Sequence, residues 1–235
     1  EEANLSSCLQ SVYFADDIVI VDSGSMDKTI DIAKEFGCRV FIEEWKGYGP
    51  QKNSAIEKCK HAWVLIIDAD ERVPSETMQK IVEILQNPEA DAYSFPRKNF
   101  FHNKWIKNCG WWPDESIRFV KKGAGRFINL THEKWETAGV VKGLDVPIEH
   151  YVFKSYSDMV KIMESRSTHM AAELYHSGKR VKPMASVIHG LSMFIKIYFI
   201  QLGFLEGIDG FVIALTRAGG SFLKYAKLLE LQRQT

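Results

Sequence analysis

The chain has 235 residues, 46% of them hydrophobic and 26% charged, enough for one large α/β core with an appendage. Lys+Arg 30 against Asp+Glu 30 leaves no formal net charge, so nothing draws the chain as a whole to a polyanion and nucleic acid is not an expected partner. Cys8, Cys38, Cys59 and Cys109 are far apart with no CxxC pair, which argues against a zinc knuckle or disulfide framework and fits buried thiols in a reduced, cytoplasmic setting. The opening Glu1-Glu2-Ala3-Asn4 lacks the basic and apolar parts of a signal peptide.

In chain order, residues 3–14 read as a helix, 18–21 as a strand, 28–36 as a helix opened by a Ser/Asp-rich loop, and 39–42 as a short strand. A loop at 45–50 carrying Gly47 and Gly49 leads to a helix over 51–60 and then the strand 63–67. This βαβ rhythm predicts parallel strands joined by right-handed crossovers. Pro74 and Ser75 open a helix over 76–86, Asn87-Pro88 stops it, and 92–95 forms another strand. The stretch 97–114, with Phe100, Phe101, Trp105, Trp111 and Trp112, reads as a substrate-facing insert before a return strand at 116–121. A helix follows over 156–177. From Ala185 the chain is strongly apolar, but His189, Lys196 and Gln201 interrupt every window of the ~20 residues a membrane span needs. These helices are expected to pack on the domain, to form a homo-oligomer contact, or to lie in a membrane surface with Phe194, Tyr198, Phe199, Phe204 and Phe211 inward.

The chemistry concentrates where apolar strands stop in acids. Trp63-Val64-Leu65-Ile66-Ile67 ends in Asp68-Ala69-Asp70-Glu71, and a turn there lets Asp68 and Asp70 converge on one ligand. Hard oxygen donors suit Mg²⁺ or Mn²⁺, which would neutralise charge on a departing nucleoside diphosphate; a solvated acidic turn is the plainer alternative. Ile18–Val21 ends in Asp22-Ser23-Gly24-Ser25-Met26-Asp27. Asp22 can accept hydrogen bonds from a base or ribose, Ser23 and its neighbours let the backbone approach, and Asp27 suits a helix cap. Gly47-Tyr48-Gly49-Pro50 sets Lys52 near a helix start, where phosphate is favoured, although a solvated lysine fits the same pattern. Two acidic tips at one rim predict a nucleotide site.

The ordered set VDSGSMDKT, GYGPQKNSAI, WVLIIDADERV, GWWPDESIRF and the later THE resembles the family 2 inverting glycosyltransferases of the GT-A fold. Within them it is most similar to the lipopolysaccharide core glycosyltransferases of the heptose β-1,4-glucosyltransferase group, over nearly the whole chain. The resemblance implies an α/β, Rossmann-like, mostly parallel sheet flanked by helices over 1–153, and a helical C-terminal extension over 154–235. It also implies that the family's first strand precedes Glu1 and is missing from the sequence, with part of the nucleoside pocket.

By the same likeness the donor is a uridine diphosphate sugar (UDP-sugar) and a divalent cation assists. Asp22 would contact the uridine, with Ser23 beside it in the cofactor-binding loop, Lys52 would lie near base or phosphate, and Asp68 would face ribose or sugar hydroxyls. Asp70 would bind the metal, and His150 would complete its shell or reach the diphosphate, a hydrogen-bonded structural histidine being the plainer alternative. Inversion needs a carboxylate to take the acceptor proton; Glu133, in Thr131-His132-Glu133, is favoured over Asp114, with Glu115 and Glu136 behind them. Trp111 and Trp112 offer flat faces to a sugar, with Arg118 fixing an acceptor carboxylate or phosphate.

The expected activity is transfer of a hexose, glucose by the resemblance, to a lipopolysaccharide-core or other cell-envelope saccharide, free or lipid-linked. It would take place in the cytoplasm or on the inner face of the cytoplasmic membrane. The rivals are a membrane-associated nucleotide-binding scaffold without catalysis and a DxD phosphohydrolase. The latter wants Thr or Val where Arg72 stands.

Overall fold

The structure, a computed structural model, describes residues 1–128 and 134–234. In chain order it holds α1 (Glu2–Ser11), β1 (Val19–Asp22), α2 (Thr29–Glu35), β2 (Arg39–Ile42), α3 (Tyr48–Lys58), β3 (Trp63–Leu65), β4 (Glu71–Arg72) and α4 (Ser75–Gln86). There follow β5 (Ala92–Phe101), β6 (Lys104–Trp105), β7 (Glu115–Lys121), β8 (Gly125–Ile128), β9 (Lys134–Thr137), β10 (Val141–Gly143) and β11 (Ile148–Phe153). Three long helices close the chain, α5 (Tyr156–His176), α6 (Ala185–Ile195) and α7 (Ile208–Arg233), with a π-helical turn at Lys196–Ile200 and a 3₁₀ turn at Gly203–Glu206 between the last two.

The chain divides into two compact units, Glu1–Arg97 with Asp114–His150, and Lys98–Pro113 with Tyr151–Thr235. Residues 98–113, expected within the first unit, group with the C-terminal helices.

In the first unit β1 and β2 pair in parallel, Val19 opposite Arg39 through Asp22 opposite Ile42, as the βαβ rhythm predicts. The larger sheet departs from that prediction. Its order is β3-β7-β5-β11-β4, with β6 and β10 also paired to β5. Because β7 is antiparallel to both β3 and β5, those two run the same way, as a crossover through α4 requires, yet the return strand lies between them. The β4–β11 pair is antiparallel and β5–β10 parallel, so the sheet is mixed rather than mostly parallel. One face of α4 supplies Ile81 and Ile84 to a core with Val73, Tyr93, Phe95, Phe119 and Ile148, and Trp63 stacks on Phe119 with ring centroids 4.9 Å apart.

An ion pair fixes how the β1–β2 layer meets α3. Arg39 donates to Asp17 through Nε at 2.8 Å and Nη2 at 2.7 Å, and to the Lys58 carbonyl at 2.6 Å, while Lys60 N–H donates to Asp17 Oδ2 at 3.0 Å. The Arg39 guanidinium, working with the Lys60 N–H against burial, holds the Asp17 carboxyl down at about 2. An unfolded Asp titrates near 3.9, so this contribution to stability is complete above that pH and is lost as pH falls from roughly 4 toward 2. Thermal melts of the wild type across that window should therefore fall more steeply than those of Asp17→Asn, and parallel curves would refute the linkage.

In the second unit His102 and Asn103, at φ 49° and 57°, make the two-residue turn that pairs Phe100 with Trp105 and Phe101 with Lys104. Ser155 Oγ accepts from Asp158 N–H at 3.1 Å, and Asp158 Oδ2 accepts from Lys154 N–H at 3.2 Å, a reciprocal cap that starts α5. Phe101, Ile106, Cys109, Met159, Ile197, Ile213 and Ala214 form the core. Glu206 is buried there, accepting at Oε1 from the Lys107 and Asn108 N–H groups at 3.0 Å each. Among the described residues no helix is long and apolar enough to cross a membrane.

Candidate functional site

The site is built where β3 ends. Ile66 N–H still pairs with the Arg118 carbonyl at 2.7 Å; the chain then turns, Glu71 N–H donating to the Asp68 carbonyl at 2.9 Å, and re-enters the sheet as β4. Pairing of β4 with β11 sets His150 opposite Glu71 and brings its Nε2 to 3.4 Å from Asp70 Oδ2. Register therefore joins two residues 80 positions apart in sequence. Arg72 clamps the turn from below, donating to the carbonyls of Ala69, Glu71 and Asn4 at 2.9, 2.7 and 2.8 Å.

Beneath the tip lies a charge network. Glu71 is 0% exposed and Arg118 2%. Arg118 Nη2 donates to Glu71 Oε1 and to Asp68 Oδ2, both at 2.6 Å, and Glu71 Oε2 takes the Asp68 N–H at 3.1 Å. Lys52 Nζ reaches Asp68 Oδ1 at 3.0 Å. Arg97 spans Glu71 Oε1 at 3.5 Å and Asp114 Oδ2 at 2.7 Å. Desolvation pushes the Asp68 carboxyl up, but Arg118 first and Lys52 next pull it down further, leaving it well below the usual carboxylate range. Burial lifts the Cys8 thiol, which donates to the Asp68 carbonyl, to about 12, so it stays protonated. Arg118, expected from its place beside the tryptophans to face the acceptor, is interior and braces the acidic tip.

Asp22 closes its own loop, Oδ1 accepting from Gly24 and Ser25 N–H at 2.7 Å each, with Gly24 at φ 95°. Desolvation raises its carboxyl, and the Ser25 hydroxyl together with these two backbone bonds more than reverses that. Ser23 is exposed on the same loop, and Asp27 Oδ1 accepts the Thr29 N–H at 3.1 Å, the helix-capping part foreseen for it. Leu5 and Leu9 of α1 form a cluster with Ala33 and Cys38, and both Ile20 of β1 and Ala69 of the second tip pack against it. The strand that leads to the first acidic tip and the middle residue of the second therefore rest on the same apolar cluster.

Helix α3 starts earlier than predicted, taking Gly49 and Pro50 into its first turn, where a proline loses no hydrogen bond. Its Gln51 is 8% exposed, with neither Oε1 nor Nε2 partnered. A buried amide left so costs ~1–3 kcal/mol, which a bound polar ligand would recover. Neither Gln51 nor the interior Glu71 was singled out from sequence. Asn53 exchanges two 2.8 Å bonds with the Phe127 backbone and pins β8 to α3. Glu133 lies outside the described residues; the flanking β8 and β9 pair Ile128 with Lys134. In the second unit Trp112 meets Trp105 edge-on at 5.2 Å, whereas Trp111 packs against the core, 6.0 Å from Phe153.

Among the described residues no three His, Cys, Asp or Glu gather as a complete metal cage. Asp70 and His150 still offer an oxygen and a nitrogen donor side by side. Mg²⁺ and Mn²⁺ commonly take one or two protein ligands and complete the shell with phosphate oxygens and water, so this pair fits an ion that arrives with a diphosphate.

The profile of glycosyl transferase family 2 matches residues 1–140. An uncharacterized glycosyltransferase of Rickettsia bellii (strain RML369-C) is 31% identical over 248 residues, covering 100% of this chain and 84% of that protein. The lipopolysaccharide core biosynthesis glycosyltransferase LpsC of Rhizobium meliloti (strain 1021) is 28% identical over 244 residues, covering 98% and 88%. Among solved structures, the mannosyltransferase PcManGT of Pyrobaculum calidifontis, in complex with GDP-Man and Mn²⁺, aligns with a TM-score of 0.49 at 15% identity, over 97% of this chain and 84% of that one.

Proposed function

The chain belongs to glycosyl transferase family 2, and from that premise we propose that it transfers a hexose, glucose, from a UDP-sugar to a lipopolysaccharide-core or other cell-envelope saccharide, with inversion and with a divalent cation. It is a glycosyltransferase, which sets aside the scaffold and phosphohydrolase rivals. The acceptor class is taken from the likeness to LpsC. The observation that carries the donor half is the pairing of Asp70 with His150 beside an Asp68 already loaded with Lys52 and Arg118.

In this reading Asp70 and His150 hold the ion, which when bound supplies neutralising charge at the leaving diphosphate. Lys52 adds a fixed cation at the start of α3, and Gln51 gives its unpartnered amide to the nucleotide. Asp22 and Ser23 shape the loop that receives the uridine. Asp68 keeps acceptor capacity for ribose or sugar hydroxyls, since a carboxylate has about four lone-pair sites. The test is calorimetric titration of nucleoside diphosphates with and without Mn²⁺. Tighter binding of UDP with Mn²⁺ than without supports the assignment, and indifference to the ion removes it.

The base is Glu133. Asp114 is the poorer choice because Arg97 holds one of its oxygens at 2.7 Å and its main-chain carbonyl accepts the Arg97 N–H at 2.9 Å, which gives it a structural task. Loss of a general base costs roughly 10²–10⁴-fold in rate. Glu133→Gln should fall by that much with UDP affinity unchanged, and Asp114→Asn should fall far less. The opposite ranking in transfer assays would move the role to Asp114.

A further inference from the structure

The C-terminal helices expose more large apolar surface than packing among themselves explains. On α6 the exposed Val187, Ile188, Leu191 and Ile195 fall within an arc of about 100°. The opposite face of α6 is occupied, for a Cβ added at Gly190 would come within 3.1 Å of Phe222 Cβ on α7. On α7 the exposed Ile208, Phe211 and Leu215 make a second stripe of the same kind. The turns between the helices add Phe199, Ile200, Phe204 and Leu205, with Ile200 73% exposed. Ring contacts join the turns to α7: half-buried Phe194 and Tyr198 contact Phe199 at 6.4 and 5.2 Å and Phe211 at 5.9 and 5.7 Å, and Tyr198 also meets Phe204 at 6.3 Å. A patch of this kind on a protein surface marks an interaction site.

Charge says what covers it. Between residues 178 and 217 the only acids are Glu206 and Asp209. Both are engaged inward, Glu206 by Lys104 at 2.7 Å and by the 107–108 backbone, Asp209 by the Tyr156 hydroxyl at 2.7 Å and His102 Nδ1 at 3.1 Å. The bases Lys179, Arg180 and Lys182 lead into α6 and Lys196 follows it, all four exposed. The outward charge around the apolar stripes is therefore basic. We propose that this face docks on the surface of a bilayer carrying anionic lipid, with α6 and the first turns of α7 lying in the headgroup region and the basic residues on lipid phosphates. Such a helix lies along the surface rather than through it, and among the described residues none is long and apolar enough to cross.

The test is sedimentation of the full chain with phosphatidylcholine vesicles that contain or lack phosphatidylglycerol. The protein should partition onto the anionic vesicles, weakly onto the neutral ones, and less as salt rises. The variant Ile188→Ser/Leu191→Ser/Leu205→Ser changes only exposed side chains and should lose partitioning with its melting temperature kept. Each of Lys179→Ala, Lys182→Ala and Lys196→Ala should lower partitioning roughly fivefold. Equal binding to both vesicle types, or no binding by the wild type, overturns the proposal. So does a wild-type dimer that the serine variant converts to monomer with vesicle binding untouched, because a second copy would then be the occupant.

Discussion

Asp70→Ala should abolish the enhancement of UDP binding by Mn²⁺ and lower transfer by roughly 10²–10³-fold, the equivalent of losing ~3–4 kcal/mol of charge stabilisation at the leaving group. The effect should be on chemistry rather than folding. The turn that carries Asp70 is held by the Glu71 N–H on the Asp68 carbonyl and by the three Arg72 donations, none of which uses the Asp70 side chain. Stability should accordingly stay within ~0.5 kcal/mol of the wild type. His150→Ala should weaken the Mn²⁺ enhancement without erasing it, since a carboxylate is the harder and charged donor. Full enhancement surviving in Asp70→Ala would show that the ion sits elsewhere, and with it the reading of the β3 tip would fall.

The parts of this site legible in the sequence are those that rest on local pattern. An apolar run that stops in acids announces a strand end, and both β1 and β3 lie where such runs stand, while β2 occupies Arg39–Ile42 as expected. What could not be seen is what arrives from far along the chain. Glu71 read as one more surface acid of the DADE run, yet it is interior because Arg118 reaches it from β7, a strand whose insertion between β3 and β5 leaves no trace in local spacing. The strand expected over 92–95 continues to Phe101 because Pro96, opposite Glu115, falls at the end of the β5–β7 ladder, where a missing N–H is tolerated. His150 was placed near a metal only through family likeness; its physical reason is the β4–β11 register. Gln51 carried no signal, because an unpartnered amide is a property of the packing around it.

Arg118→Met should be the most destabilising single change in the first unit, on the order of 3–5 kcal/mol in urea unfolding, because it strands the buried Glu71 carboxylate. Arg97 remains at 3.5 Å, too long to replace two bonds from one guanidinium. Pairing the change with Glu71→Leu should recover much of the loss, since removing both partners of a buried pair leaves no charge unsatisfied. The recovery should be incomplete, because the Asp68 N–H loses its acceptor at Glu71 Oε2. Acid sensitivity supplies an independent check. Arg118 is the foremost group holding the Asp68 carboxyl down, so in the wild type this carboxylate contributes stability above an unfolded value of about 3.9 and loses it as pH falls below that. In Arg118→Met the contribution shrinks to what Lys52 sustains, and the melting temperature should fall less between about pH 4 and pH 2 than it does in the wild type. If Arg118→Met unfolds within ~1 kcal/mol of the wild type and keeps its acid slope, the pair is not what braces the tip, and the position of Asp68 must be set by Lys52 and the Arg72 clamp instead.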